Sequence, residues 1–259
     1  MRRYYYASPK MVGYSIPLVN VLRNKGIIYI IKGFFRVLKN TAIIEINHRL
    51  FSRNFFVNGC KIPYQHSTLL NGSIGNVQLS SERVVEIAYV KNLYTMRKPN
   101  LILEVGNVTR NWFSIQNLVV VDKYEQDSQG SIINEDIEDF ESLITFDMII
   151  SISTVEHIGY DEEIKDSQKP QRVIEKMIKL LNENGLLIIT VPLNYNPAVD
   201  NLIKNKIIKF TEMVFLKRLN ISNDWKQVGL DEAFNSIYDS PYQYANSIAI
   251  LLYRKFPVY

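Results

Sequence analysis

From Ser80 onward the chain alternates between short apolar runs and amphipathic segments. SSERVVEIAYVKNLYTM opens on serines suited to capping a helix, carries Glu82 and Glu86 near its first turns and sets Val84, Val85, Ile87, Ala88 and Val90 on an apolar side, so a helix is predicted from Ser81 to Met96. Arg97-Lys98-Pro99-Asn100 breaks it, and residues 101–105 have the length and content of a strand. A short helix or turn over 109–116, a strand LVVV over 118–121, and a polar loop holding Asn134, Glu135, Asp136 and Ile137 follow. Next come a strand FDMIISIS (146–153), a polar segment (157–169), an amphipathic helix from Pro170 to Leu181, a stop at Asn182-Glu183-Asn184-Gly185 and a strand LLIITV (186–191). Apolar strands without alternation, separated by helices, belong to a parallel sheet covered on both faces. In the last third the pattern predicts a helix over Asn201–Arg218, with Ile203, Ile207, Ile208 and Phe210 on its apolar side, and an edge strand over 247–255.

The first quarter reads differently. Residues 1–61 hold 11 Lys/Arg against the single acid Glu45, a net +10, whereas the remaining 198 residues hold 19 Lys/Arg and 25 acids, a net −6. Within the segment 20–39, Lys25, Lys32, Arg36 and Lys39 share one narrow stripe at 100° per residue, while isoleucines, Phe34 and Phe35 fill most of the rest. This is a basic amphipathic helix suited to an anionic membrane surface, or to packing on the main domain or a second subunit. Its apolar runs are too short to span a bilayer, and neither their position nor the residues after them suit a cleaved signal peptide. Residues 1–57 are therefore assigned to a basic amphipathic N-terminal extension and 58–259 to the α/β domain.

At 259 residues and 47% hydrophobic content the chain can bury a large core. Cys60 is the one cysteine, and His48, His66 and His157 are the only histidines, so no disulfide and no metal-ligand cluster is expected, and a cytoplasmic setting is the default.

In an open α/β sheet, ligands gather outside the carboxyl ends of the strands, where strand order reverses. Three predicted strand ends carry suitable residues. Glu104-Val105-Gly106-Asn107 closes the first, and Gly106 lets backbone approach a ligand. Asp122 closes the second, where a carboxylate can accept both hydroxyls of a ribose. Ser151, Ser153, Thr154 and Glu156 close the third, and Glu135-Asp136-Ile137 offers a carboxylate and a backbone N–H to an adenine edge.

The ordered elements LILEVGNV, VVVDKYE, NEDIEDF, FDMIISISTVEHIGYDE and IEKMIKLLNENGLLIITVPLNYNP resemble the class I S-adenosylmethionine-dependent methyltransferases over residues 80–195. More narrowly, EVGNV, VVDKYE, SISTVEHIG and TVPLNYNP look like a methyltransferase-like group associated with surface-glycan and glycolipid biosynthesis. The resemblance implies a Rossmann-like, doubly wound, mostly parallel sheet preceded by the basic helical extension, with S-adenosyl-L-methionine as cofactor. It places Glu104 and Gly106 beside the methionine part, Asp122 on the ribose, and Asp136 with Ile137 at the adenine; Asn107 and Ser153, at the same strand ends, are further candidates for cofactor binding. It also implies a small-molecule, glycan or lipid-linked glycan acceptor.

The sequence departs from the family where two or three glycines usually follow the acid: Asn107-Val108-Thr109-Arg110 stands there. Asn107 is expected to replace a glycine at positive φ, and Arg110 is in a position to close the pocket. A hydroxyl acceptor needs a base, for which His157 is the first candidate and Glu156 the second; a backbone-bonding His157 is the alternative. Glu82, Arg83 and Glu86 read as a salt-bridge set at a helix start, with one of them able to reach the cofactor pocket. Asp161, Glu162 and Glu163 read as a solvated face. The competing functional reading is a module that keeps the fold but not the pocket. Nucleic acid is an unfavoured partner, since the body is acidic and no Asn/Asp-Pro-Pro-Tyr motif follows the third strand.

Overall fold

The computed structural model describes residues 53–64, 81–127 and 129–256. The amphipathic stretch 20–39, most of the assigned extension, His48 and His66 lie outside them.

Strands β1 (Arg53–Val57) and β2 (Cys60–Tyr64) form an antiparallel hairpin across Asn58 and Gly59. The assigned boundary at 57/58 thus falls in a two-residue turn, and Phe55 and Val57 pack into the domain core with Ile62 and Tyr64. Helix α1 (Arg83–Arg97) leads to β3 (Ile102–Val105), a 3₁₀ turn (Thr109–Asn111), β4 (Leu118–Val121) and β5 (Phe146–Ile152). Helix α2 (Lys169–Lys179), β6 (Leu181–Pro192), α3 (Pro197–Lys204), β7 (Glu212–Arg218), β8 (Trp225–Val228), α4 (Leu230–Phe234) and β9 (Ser247–Arg254) complete it.

The main sheet has seven strands in the order β4-β3-β5-β6-β9-β7-β8. β4, β3, β5 and β6 pair in parallel, whereas β9 runs antiparallel to both β6 and β7, and β8 antiparallel to β7. Beyond β4 a single parallel bridge, Val121 to Ile133, extends the parallel side. Five strands therefore share one direction, which is the parallel sheet the apolar runs predict and the Rossmann-like course the resemblance implies. Successive residues of β5 go to opposite cores: Met148, Ile150 and Ile152 pack beneath α1 with Val84, Val85 and Val90, and Phe146 and Ile149 pack with Val173, Ile174 and Met177 of α2. Burial on both faces is why these strands show no polar alternation.

Three expectations are corrected. The helix expected over 201–218 ends at Lys204, with Lys206 at φ +50, and residues 212–218 are β7. There Val214 and Leu216 enter one core and Phe215 the other, a two-residue period that a helical reading hides. The strand near the C-terminus is interior, inserted between β6 and β7 with Ser247 to Leu252 buried. The segment 182–185 is an irregular part of β6, where the register with β5 shifts between Phe146/Leu181 and Met148/Leu186, and Asn184 takes φ +64.

Candidate active site at the switch point of the sheet

The chain passes from β3 outward to β4, then crosses back to β5 on the other flank of β3. Strand order reverses between β3 and β5, and a crevice for ligands is expected at their carboxyl ends. Gly106 and Thr154 meet there. Gly106 has φ +88, its N–H donates to Val121 O (2.9 Å), and a Cβ on it would lie 2.4 Å from Thr154 Oγ1. Backbone conformation and close approach both demand glycine.

The missing glycines are replaced by a carboxylate. Glu104 is fully buried, its Oε1 accepts the N–H groups of Val108 (3.1 Å) and Thr109 (2.7 Å), and its Oε2 accepts the Thr109 hydroxyl (2.6 Å). Burial raises the Glu104 carboxyl and these bonds oppose the rise. Glu104 therefore builds the turn that leads into the 3₁₀ helix. Asn107 is not at positive φ; Gly106 alone supplies that conformation in the turn, and Ser153 (φ +40) supplies it on the facing loop. The Asn107 N–H reaches Asp122 Oδ2 at 3.3 Å, and its buried Oδ1 accepts no hydrogen bond. Arg110 is tied to the loop after β4. Its guanidinium donates to Ser131 Oγ and to Ser131 O (2.7 Å) and lies 3.5 Å from Asp127.

Asp122 Oδ1 accepts the N–H groups of Tyr124 and Glu125, both at 2.8 Å, while Oδ2 has only the long bond from Asn107. Asp136 is committed differently. Lys169 Nζ (2.5 Å) and Lys123 Nζ (2.9 Å) both hold its carboxylate, and the same lysines bind Glu162. Burial would raise Asp136, but the two ammonium groups outweigh it and bring it to about 2. Ile137 sits in the core with its side chain buried. Of the pair expected at the adenine, the Asp136 carboxylate is thus ion-paired, and the buried side chain of Ile137 leaves only its backbone for that role.

The start of α1 faces the end of β5. Ser153 Oγ donates to Glu86 Oε1 (2.7 Å), and Arg83 Nη1 donates to Ile152 O (3.0 Å) while lying 3.5 Å from Glu86 Oε2. Glu82 accepts the Ala245 N–H (3.2 Å); burial raises its carboxyl, and Glu86 adds to the rise. Glu86 and Glu156 are 0% and 1% exposed, and the Oε2 atom of each accepts no hydrogen bond. Burial pushes the Glu156 carboxyl up to about 8, Glu86 adds to that, and His157 and Arg83 oppose it. Ser151 and Thr190, on adjoining strands, also bury unbonded hydroxyls.

His157 Nε2 lies 3.6 Å from Glu156 Oε1, and its Nδ1 lies 2.5 Å from Asp161 Oδ2. Burial would lower the imidazole, but Glu156 and Asp161 together raise it. The Tyr195 hydroxyl donates to the same Asp161 oxygen (2.7 Å), and the Tyr195 ring meets His157, Tyr160 and Tyr238 edge-on with centroids 5.2, 5.7 and 5.0 Å away. The side chain of Asn196 donates to Glu156 O (2.8 Å) while capping α3, which ties the loop after β6 to the loop after β5.

The sequence-chosen pair His157 and Glu156 is therefore brought together beside Ser153. Glu82, Arg83 and Glu86 enter the same cluster, with Arg83 and Glu86 ion-paired at the helix start, and the exposed Asp161 bonds to His157. Two open depressions lie elsewhere, one beside Arg110, Phe113 and Asn117, the other at the amino ends of the strands around Asp147 and Asn184. Among the described residues no group of three or more His, Cys, Asp or Glu is arranged to hold a metal ion, and no helix is long and apolar enough to cross a membrane.

No family model matches the chain, and no curated protein matches it. Similar solved structures include the N-methyltransferase NodS from Bradyrhizobium japonicum WM9 in complex with S-adenosyl-L-homocysteine, 12% identical, with a TM-score of 0.40 over 65% of this chain and 87% of that one. A S-adenosylmethionine-dependent methyltransferase from Clostridium acetobutylicum ATCC 824 is 11% identical, with a TM-score of 0.37 over 66% of this chain and 91% of that one. The sugar N-methyltransferase KedS8 from Streptoalloteichus sp ATCC 53650 is 10% identical, with a TM-score of 0.36 over 67% of this chain and 89% of that one. At these identities and scores the likeness extends to the general course of the chain and to nothing in the site.

Proposed function

We propose that the chain is an S-adenosylmethionine-dependent methyltransferase acting on a small-molecule, glycan or lipid-linked glycan acceptor. The observation that carries this reading is the set of buried, unbonded acceptor oxygens at the switch point, on Asn107, Glu86 and Glu156, beside Gly106 and Asp122. An unsatisfied buried acceptor is costly unless a ligand completes it. The cofactor's ammonium and sulfonium are cations, which suits these oxygens, and Asp122 Oδ2 retains capacity for a ribose hydroxyl. The residues fit those parts of the group, and the Asp136 carboxylate is held in place by two lysines.

When bound, the cofactor would supply an electrophilic methyl group that an acceptor takes in line, with the thioether as the leaving group. The chain then has to align the acceptor, exclude water and move one proton. With Nδ1–H donated to Asp161, the His157 Nε2 lone pair is the proton acceptor, and the Asp161 carboxylate stabilises the imidazolium that results. Tyr195 and Asn196 fix the two loops around that atom. Glu156, kept protonated at neutral pH by burial, takes no proton from His157.

A second reading, a partner module without catalysis, draws on the commitment of Glu104, Asp122 and Asp136 to bonds within the chain. Equilibrium dialysis with labelled S-adenosylmethionine separates the two. The enzyme reading expects binding that Asp122→Ala weakens, whereas equal retention by both proteins supports the module. The basic stripe of residues 20–39 supports attachment to an anionic membrane face. Equal pelleting with anionic liposomes after deletion of residues 1–40 would remove that proposal.

A further inference from the structure

A neutral imidazole has two nitrogens and one N–H, and the bond made by one nitrogen decides which carries the proton. The two nitrogens of His157 face different carboxyls. Nδ1 lies 2.5 Å from Asp161 Oδ2, and Nε2 lies 3.6 Å from Glu156 Oε1. Nε2 can accept a proton only while Nδ1 holds the ring's own, so the Asp161 contact has to prevail. Asp161 is nevertheless the exposed member of the pair, whereas Glu156 is 1% exposed. Water and Lys165, a further charge that bears on it, compete for the Asp161 carboxylate.

The group that holds Asp161 in place comes from another loop. The Tyr195 hydroxyl donates to the same Oδ2 atom at 2.7 Å, and its ring meets the imidazole edge-on. Tyr195 is itself fixed from both sides. Asn194, at φ +62, donates its side chain to Ser236 O (2.7 Å) and its N–H to Asp200 Oδ1 of α3 (3.1 Å). Asn196, 2% exposed, donates to Glu156 O (2.8 Å) and accepts the Ala198 N–H (2.9 Å). Residues 194–196 are thus tied to the segment after α4, to α3 and to the loop after β5, and Tyr195 stands at their centre with its hydroxyl on Asp161.

From this geometry we infer that Tyr195 is a positioning residue for the base: its hydroxyl pins the Asp161 carboxylate on Nδ1, which keeps His157 in the Nδ1–H tautomer and leaves the Nε2 lone pair to the acceptor. The inference deepens the methyl-transfer reading, on which the need for a base rests. Without the Tyr195 hydroxyl the Asp161 carboxylate turns to its competitors, the hold on Nδ1–H weakens, and the Nε2–H form, which is no base at that atom, gains population.

The test is nitrogen NMR of the full chain labelled with ¹⁵N, with His157→Gln identifying the signals. The two imidazole nitrogen shifts give the tautomer on the neutral limb of a titration from about pH 6 to about pH 10. Wild type should show Nδ1–H as the dominant form. Tyr195→Phe keeps the ring and removes the hydroxyl, and the ratio of Nδ1–H to Nε2–H should fall about three- to tenfold, the worth of one ordinary hydrogen bond. A tyrosine that only packs would leave the ratio where it is, since phenylalanine packs alike. Asp161→Ala should shift the ratio at least as far. An unchanged ratio in Tyr195→Phe overturns the inference, whether or not Asp161→Ala shifts it, and so does a dominant Nε2–H form in wild type, which needs no variant to be seen. Failure of wild type to bind S-adenosylhomocysteine overturns the methyl-transfer reading instead and leaves the tautomer result as it stands.

Discussion

Replacing Glu156 by Gln should make the protein more stable and less active, and the gain should grow with pH. The folded carboxyl is raised by burial to about 8, against an ordinary value of 4.5. Below the ordinary value the carboxyl is protonated in both the folded and unfolded states. As pH rises toward the folded value the unfolded chain ionises while the folded site resists, so stability is progressively lost across that window. At about 1.4 kcal/mol per pH unit the full loss is roughly 4 to 5 kcal/mol. Relaxation and water entry around the ionised group reduce it to about 2 to 3 kcal/mol. Glutamine keeps the shape without the charge, so the variant should lead wild type only slightly at pH 5 and by the full difference above pH 8. In a domain of this size that difference corresponds to roughly 5 to 10 °C in Tm. Thermal denaturation by circular dichroism at pH 5, 6, 7, 8 and 9 measures it. A Tm difference that is constant with pH, or a variant less stable than wild type at pH 8 to 9, would refute the picture of an uncompensated buried carboxyl held for function.

Gly106→Ala should cost about 2 to 4 kcal/mol, because its φ of +88 and the Thr154 hydroxyl 2.4 Å from the new methyl both oppose it; urea denaturation reads the loss, and Thr154→Ala in the same chain should recover part of it. Asp161→Asn should lower the His157 pKa, since Asp161 is one of the groups that raise it; an NMR titration with His157→Gln as the assignment control checks the direction. Asp122→Ala removes the acceptor of three backbone N–H groups and should cost about 1 to 3 kcal/mol in denaturant, as well as weakening cofactor binding. Asp136→Asn should destabilise by about 1 kcal/mol at pH 7, where the ionised carboxylate binds both lysines, and the difference should vanish as pH falls from about 4 to about 2.

The parallel half of the fold was legible because its signals are local. LVVV is strand 118–121 to the residue, and FDMIISIS overshoots β5 by one, since continuous apolar runs between polar loops admit little else. The antiparallel half was not. Ile203, Ile207, Ile208 and Phe210 mimic a helical stripe, and the two-sided burial of Val214, Phe215 and Leu216 is decided by β9, which arrives some thirty residues later in the chain. The rule that reads an unbroken apolar run as an interior strand applies equally to SIAILLYR, so its place between two neighbours was available in principle. At the site, His157 and Glu156 stood out by chemistry at a strand end. Glu82, Arg83 and Glu86 did not, because helix-start charges usually meet water and the backbone dipole. Their signal was spacing: Glu86 lies four residues before the buried Val90, on the apolar side of α1. Asp161 carried a similar one, four residues after His157. The turn at Asn107 was misread since only the folded chain shows Glu104 gathering the backbone that glycines would otherwise shape.

The central claim is that the crevice at Gly106, Asp122 and Ser153 takes the methyl donor. Isothermal titration of the full chain with S-adenosylhomocysteine, alongside Asp122→Ala, tests it most directly. The account predicts saturable one-to-one binding by wild type that weakens about tenfold or more in the variant. Absence of any binding by wild type at millimolar ligand, or identical affinities in the two proteins, would contradict it.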